Sequence, residues 1–117
     1  MKVHWTNNAL RHLVDIRREV EYLIRLGATD RYRHKHIREK EKIVYFRIQL
    51  ETMIEDQWYP IVRYDTSHGY AHRDLINRRG KVQKTPLFIH DYEDALTFAE
   101  SDLKTNWEIY KERFLRE

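Results

Sequence analysis

The chain has no cysteine, only three glycines and two prolines, and no apolar run near the roughly 20 residues that a membrane span needs. The missing cysteine excludes disulfides, thiolate metal sites and a cysteine nucleophile. With the apolar stretch of a signal peptide also missing after Met1, a cytoplasmic protein with no membrane segment is expected. So few glycines and prolines leave long uninterrupted stretches for regular structure, and no tract is low in complexity or repeated. What is abundant is charge, at 35% of residues, beside 41% apolar residues and a net charge of +3. At 117 residues this is the size of one domain with a real core.

The charge is uneven. Residues 1–27 carry five basic and three acidic groups, residues 28–42 six and three, and residues 43–117 eleven and thirteen. A basic N-terminal third can attract nucleic acid or an acidic partner, although a solvated, salt-bridged surface is the simpler account of any one charge run.

Thr6 or Asn7 can cap a helix, and the spacing of Leu13, Ile16, Val20 and Leu23 predicts one buried helical face. Gly27 would end that helix. Residues 28–42 hold only Tyr32 and Ile37 as large apolar groups and read as a basic connector. Arg31 and Arg33 within it are candidate phosphate contacts. His34 and His36, set among Arg and Lys, read as exposed.

From Ile43 the period becomes two. Val44, Phe46, Ile48 and Leu50 alternate with Tyr45, Arg47, Gln49 and Glu51. A second strand follows the Glu55–Asp56–Gln57 turn, at about 58–65, with Pro60 marking an edge or a bulge. A third covers about 70–77, and a short fourth is expected at 82–85. Asp91 caps the last helix, where Tyr92, Leu96, Ala99, Leu103, Trp107, Tyr110 and Phe114 form one apolar stripe. The expected fold is α+β. An antiparallel three- or four-stranded meander over 43–86 is flanked by an N-terminal helix (1–27) and a long C-terminal helix (91–116). At about 39 Å that last helix would overhang strands of ordinary length, which suggests a homodimer.

Chemistry concentrates in Arg63–Asp74, with two His, two Asp, two Arg and two Tyr around Gly69. Three readings are open. His68 and His72 with Asp65 or Asp74 offer metal ligands, but a His-x-x-x-His pair on a strand lacks the one-turn proximity it has on a helix. Metal-independent RNA cleavage would use His68 and His72 as acid and base. Asp74 would orient an imidazole, and Arg47, Arg63, Arg73 and Tyr70 would bind the substrate. A plain structural reading makes Asp65 a turn cap, His68 a turn residue and Arg63–Asp74 a cross-strand pair. No cofactor is expected outside the metal reading, and the parity of residues 70–76 is expected to turn Tyr70, His72 and Asp74 outward beside Arg47 and Arg63.

The stretch Val62–Asp74, followed by Asp102–Tyr110 within 99–113, resembles a family of small uncharacterised bacterial and archaeal proteins. More distantly it is similar to TumE-type toxins of toxin–antitoxin pairs. The resemblance covers about residues 43–117 and carries over no functional residue. It implies a small α+β protein acting on RNA, with a cognate antitoxin-like protein as partner. A non-catalytic, homodimeric interaction or nucleic-acid-binding protein is the alternative.

Overall fold

A computed structural model describes residues 17–117. Six strands run in sequence order as one antiparallel meander: β1 (Arg17–Gly27), β2 (Asp30–Glu39), β3 (Lys42–Ile54), β4 (Gln57–Asp65), β5 (His72–Ile76) and β6 (Val82–Pro86). One helix, α1 (Tyr92–Arg116), follows. The α+β class, the four strands after residue 42 and the C-terminal helix agree with the sequence expectation.

The N-terminal third does not. Residues 17–27 form β1 instead of a helix, and the expected connector is β2. The expected cap at Thr6 or Asn7 and the apolar positions before residue 17 lie outside the described residues. The reason for the change is visible in the register. β2 pairs with β1 on one side and β3 on the other, with Tyr32 opposite Leu50 and His34 opposite Ile48. Tyr32 and His34 are therefore buried like their apolar partners. A polar strand gains its ladder bonds from the apolar strand beside it, so its own composition does not decide its state. Gly27 ends a strand: a Cβ there would meet the Asp30 carboxylate at 2.8 Å and the Trp107 ring at 3.0 Å.

Two of the tight hairpins in this sheet share one turn geometry. Lys40–Glu41 and Glu55–Asp56 all have positive φ, between 50° and 68°. Consecutive left-handed residues give the turn whose twist matches paired strands. Pro60 sits beside a bulge, as expected: Leu50 pairs with Val62 and Glu51 with Pro60, which leaves Ile61 as the extra residue.

Asp91 caps α1 by accepting from the backbone N–H groups of Glu93 and Asp94, and both acidic side chains of the first turn favour the positive end of the helix dipole. The helix lays Ala95, Leu96, Ala99, Leu103 and Phe114 on Tyr32, Phe46, Ile48, Leu50, Val62 and Tyr64. The length argument for an overhang does not hold, because β3 is longer than an ordinary strand. The 13 residues of β3 extend over about 43 Å, against about 37 Å for the helix.

Candidate functional site

Register divides the side chains between two faces. Arg47 lies opposite Asp65, Gln49 opposite Arg63, Arg63 opposite Asp74, and Asp65 opposite His72. These residues share the face away from α1, together with Arg31, Arg33 and Lys35 of β2 and Lys84 of β6. The structure thus brings Arg31, Arg33, Arg47, Arg63, His72 and Asp74 onto one face, with the parity read from the sequence. Arg73 is not among them. It lies on the α1 side, where its guanidinium donates to the Tyr110 hydroxyl at 3.3 Å.

This open face is layered. Asp65, Asp74 and Glu51 are buried against the sheet. Arg47 Nε reaches Asp65 at 3.2 Å, and Lys84 Nζ reaches Asp74 at 3.1 Å. Arg31 Nε donates to Glu51 at 2.7 Å while its guanidinium lies 3.7 Å above the Trp58 ring. Arg33 is 3.5 Å from the same carboxylate and 58% exposed. Arg63 Nε donates to Gln49 at 2.8 Å, while Asp74, its cross-strand neighbour, is met by Lys84. Burial, and then the nearby Arg47, pull the Arg63 guanidinium below its usual basicity. The same environment raises the Tyr45 hydroxyl, through burial first and Asp65 second. Glu21, Leu23, Arg33, Lys35, Tyr45, Arg47 and Gln49 border an open groove of about 600 Å³.

The loop between β4 and β5 closes one end of the face. Asp65 accepts from the Ser67 backbone N–H, Gly69 N–H donates to Thr66 at 3.1 Å, and Gly69 has φ 85°. Asp65 is therefore the turn cap that its position suggested. The turn exposes His68 and leaves its ring centroid 5.5 Å from that of His72. The Tyr70 ring also lies against His72, at 5.3 Å between centroids. His72 itself is only 1% exposed. Its Nδ1 lies 3.3 Å from the Tyr70 carbonyl, which can only accept, and its Nε2 lies 3.7 Å from Asp74. The described residues contain no group of three or more His, Cys, Asp or Glu side chains placed to hold a metal ion.

The α1 side carries two polar clusters that the sequence reading passed over. Glu100 accepts from the hydroxyls of Tyr22 at 2.9 Å and Tyr32 at 3.0 Å. His34 Nδ1 lies 3.3 Å from Glu100, off the line of a good hydrogen bond, and His34 Nε2 is 2.6 Å from His36 Nδ1. The histidine beside it holds the Glu100 carboxyl at about 2, with the two hydroxyls adding to the effect. Burial and the Glu100 contact push the Tyr22 hydroxyl up to about 12. Burial, followed by His34 and Arg38, lowers His36. His34 is thus buried, which corrects its expected exposure. In the second cluster Asp102 accepts from Tyr64 and Tyr110, each at 2.5 Å, and from Asn106 at 2.7 Å. One signal was available: the steps from Leu96 through Glu100 to Leu103 place a carboxylate within the apolar stripe, where it needs partners.

Fold and site together define a class: a small α+β protein with one helix-covered sheet face and one open, cation-rich face. Residues 17–117 match the family described as a domain of unknown function (DUF7718), and the chain belongs to that family. No curated protein and no solved structure matches the chain. Among the described residues no helix is long and apolar enough to cross a membrane.

Proposed function

We propose that the protein binds single-stranded RNA across the open face of its sheet. One observation carries the reading: Arg33, Arg47 and Lys84 stand exposed above the buried carboxylates Glu51, Asp65 and Asp74. Each carboxylate holds one nitrogen of its cation, and the exposed remainder of each charged head is available to phosphates. Arg31 and Arg63 support that row of cations rather than extend it, because both are partly buried, with Nε bonded to Glu51 and Gln49 respectively. A single strand fits better than a duplex, since exposed Tyr70 and half-buried Tyr45 lie near the row and can stack on free bases.

The test is anisotropy of a labelled single-stranded RNA over a range of salt. Each phosphate contact contributes about −0.7 to the slope of log K against log salt. Arg33→Glu with Arg47→Glu should weaken binding at least tenfold and flatten the slope. Binding that ignores both charge reversals defeats the reading.

Cleavage within a toxin–antitoxin-like module is the second reading, favoured by the 5.5 Å approach of His68 to His72. Exposed His68 would take the 2′-hydroxyl proton as that oxygen attacks phosphorus. The bond to the 5′-oxygen would break, and the leaving oxygen would take a proton from water. Buried His72, held by Tyr70 and Asp74, would position His68 without touching the substrate. RNA cut equally well by His68→Ala protein would remove this step. A cognate antitoxin-like partner follows only from the resemblance to toxin–antitoxin proteins, and co-purification with the product of an adjacent gene is its test.

A further inference from the structure

Phe88, in the connection from β6 to α1, is 84% exposed and has a φ of 59°. A bulky side chain in left-handed backbone is costly, and an exposed aromatic ring recovers little by burial. Among the described residues none buries the Phe88 ring, although the neighbouring Leu87 is anchored by its N–H to the Ala71 carbonyl at 3.0 Å. The ring borders a recess of about 350 Å³ whose other walls include Gly69, Tyr70 and His90. Tyr70 is 42% exposed, and its ring also touches His72, the residue that ends the cationic face. Two exposed aromatic rings therefore flank one recess at the end of a row of cations.

We propose that this recess is a stacking subsite for one nucleobase of the single strand, with Phe88 and Tyr70 as its platforms. It rests on the reading of the open face as an RNA-binding surface. The occupant is a base, because the exposed rings of Tyr70 and Phe88 border the recess and Tyr70 reaches back to His72 on the cationic face; an aromatic platform accepts any base without reading its edge. The backbone of the bound strand would run along Lys84 and Arg47 and deliver its terminal base past His72 into the recess.

Two probes separate the subsite from the face. One is a labelled oligouridylate of about 12 nucleotides, long enough for one binding site. The other is an abasic ribose-phosphate oligomer of equal length. Wild-type protein should prefer the oligouridylate by about 5- to 100-fold, the range that stacking on one aromatic ring gives. Phe88→Ala should remove most of that preference, leaving the abasic affinity and the salt slope unchanged, and Phe88→Trp should keep it. A thermal melt checks each fold, and exposed Phe88 makes Phe88→Ala a mild change. Equal wild-type binding of both oligomers, or an unchanged preference in Phe88→Ala, overturns the subsite and leaves the cationic face standing. Binding of neither oligomer overturns both. A wild-type dimer that Phe88→Ala splits assigns the patch to a second copy of the chain and also overturns the subsite.

Discussion

The two faces of the sheet use the same residue types in opposite ways. Under α1, the carboxylates Glu100 and Asp102 come from the helix and are met by short, rigid hydroxyls and imidazoles. On the open face, the carboxylates come from the sheet and are met by the flexible ends of Arg and Lys. The first arrangement spends its hydrogen bonds internally and locks the helix to β1, β2 and β4. The second leaves donors of Arg33, Arg47 and Lys84 facing outward. A buried carboxylate thus serves as glue in one place and as an anchor for a binding group in the other.

Removing each carboxylate or cation in turn should separate these roles. The largest effect is expected at Asp102. Asp102→Ala leaves the hydroxyls of Tyr64 and Tyr110 without their shared acceptor. Burial and Asp102 already raise the Tyr64 hydroxyl well above its ordinary range. A loss of about 3 kcal/mol in urea unfolding is expected. A loss no greater than that of an exposed alanine substitution would mean that the network adds nothing.

Glu100 comes next, and its contribution is pH-dependent. Its folded pKa of about 2 lies below the ordinary 4.5. Its stabilisation is therefore fully present above pH 4.5 and is lost as pH falls from 4.5 towards 2. Lowered His36 acts in the same direction, since a neutral imidazole favours the folded state at higher pH. Glu100→Gln should cost about 2 kcal/mol at pH 7 after allowance for solvent screening. Melting temperatures from pH 7 to pH 3 should fall less steeply in the variant than in the wild type, and parallel curves would refute the linkage.

The hairpin that delivers β2 should show a smaller change of opposite sign. Glu41 has φ 68°, a conformation that costs a side chain about 1 kcal/mol. Glu41→Gly should therefore raise stability by about that amount, read as a higher urea midpoint at unchanged slope. The smallest effect is expected on the open face. Arg33→Ala should change stability by less than about 0.5 kcal/mol, as for other exposed pairs, while weakening RNA binding. A large loss of stability there would make the open face as structural as the covered one.

The candidate site was legible because it depends on parity. Once β3 and β4 alternate, Arg47, Arg63 and Asp65 must share a face, and the short turn through Gly69 sets His72 and Asp74 beside them. Lys84 escaped notice because its partner Asp74 is fixed only by the pairing of β5 with β6. Phe88 escaped because an exposed aromatic in a loop leaves no periodic trace. His34 was misjudged for the reason that β2 was: its neighbours in sequence are charged, and its neighbours in space are Tyr22, Glu100 and His36.

By itself the sequence determined β3 to β6, the turn at residues 65–69 and the helix opened by Asp91, because alternation, turn chemistry and capping are local properties. Only the tertiary structure decided β1 and β2. In β1 the spacing of Val20 and Leu23 fits a helix, while Val20, Tyr22 and Ile24 fit a strand. The backbone partners that choose between them lie in another part of the chain. β3 supplies a ladder to β2 across the Lys40–Glu41 turn, which has none of the residues that announce it, and β2 in turn supplies one to β1.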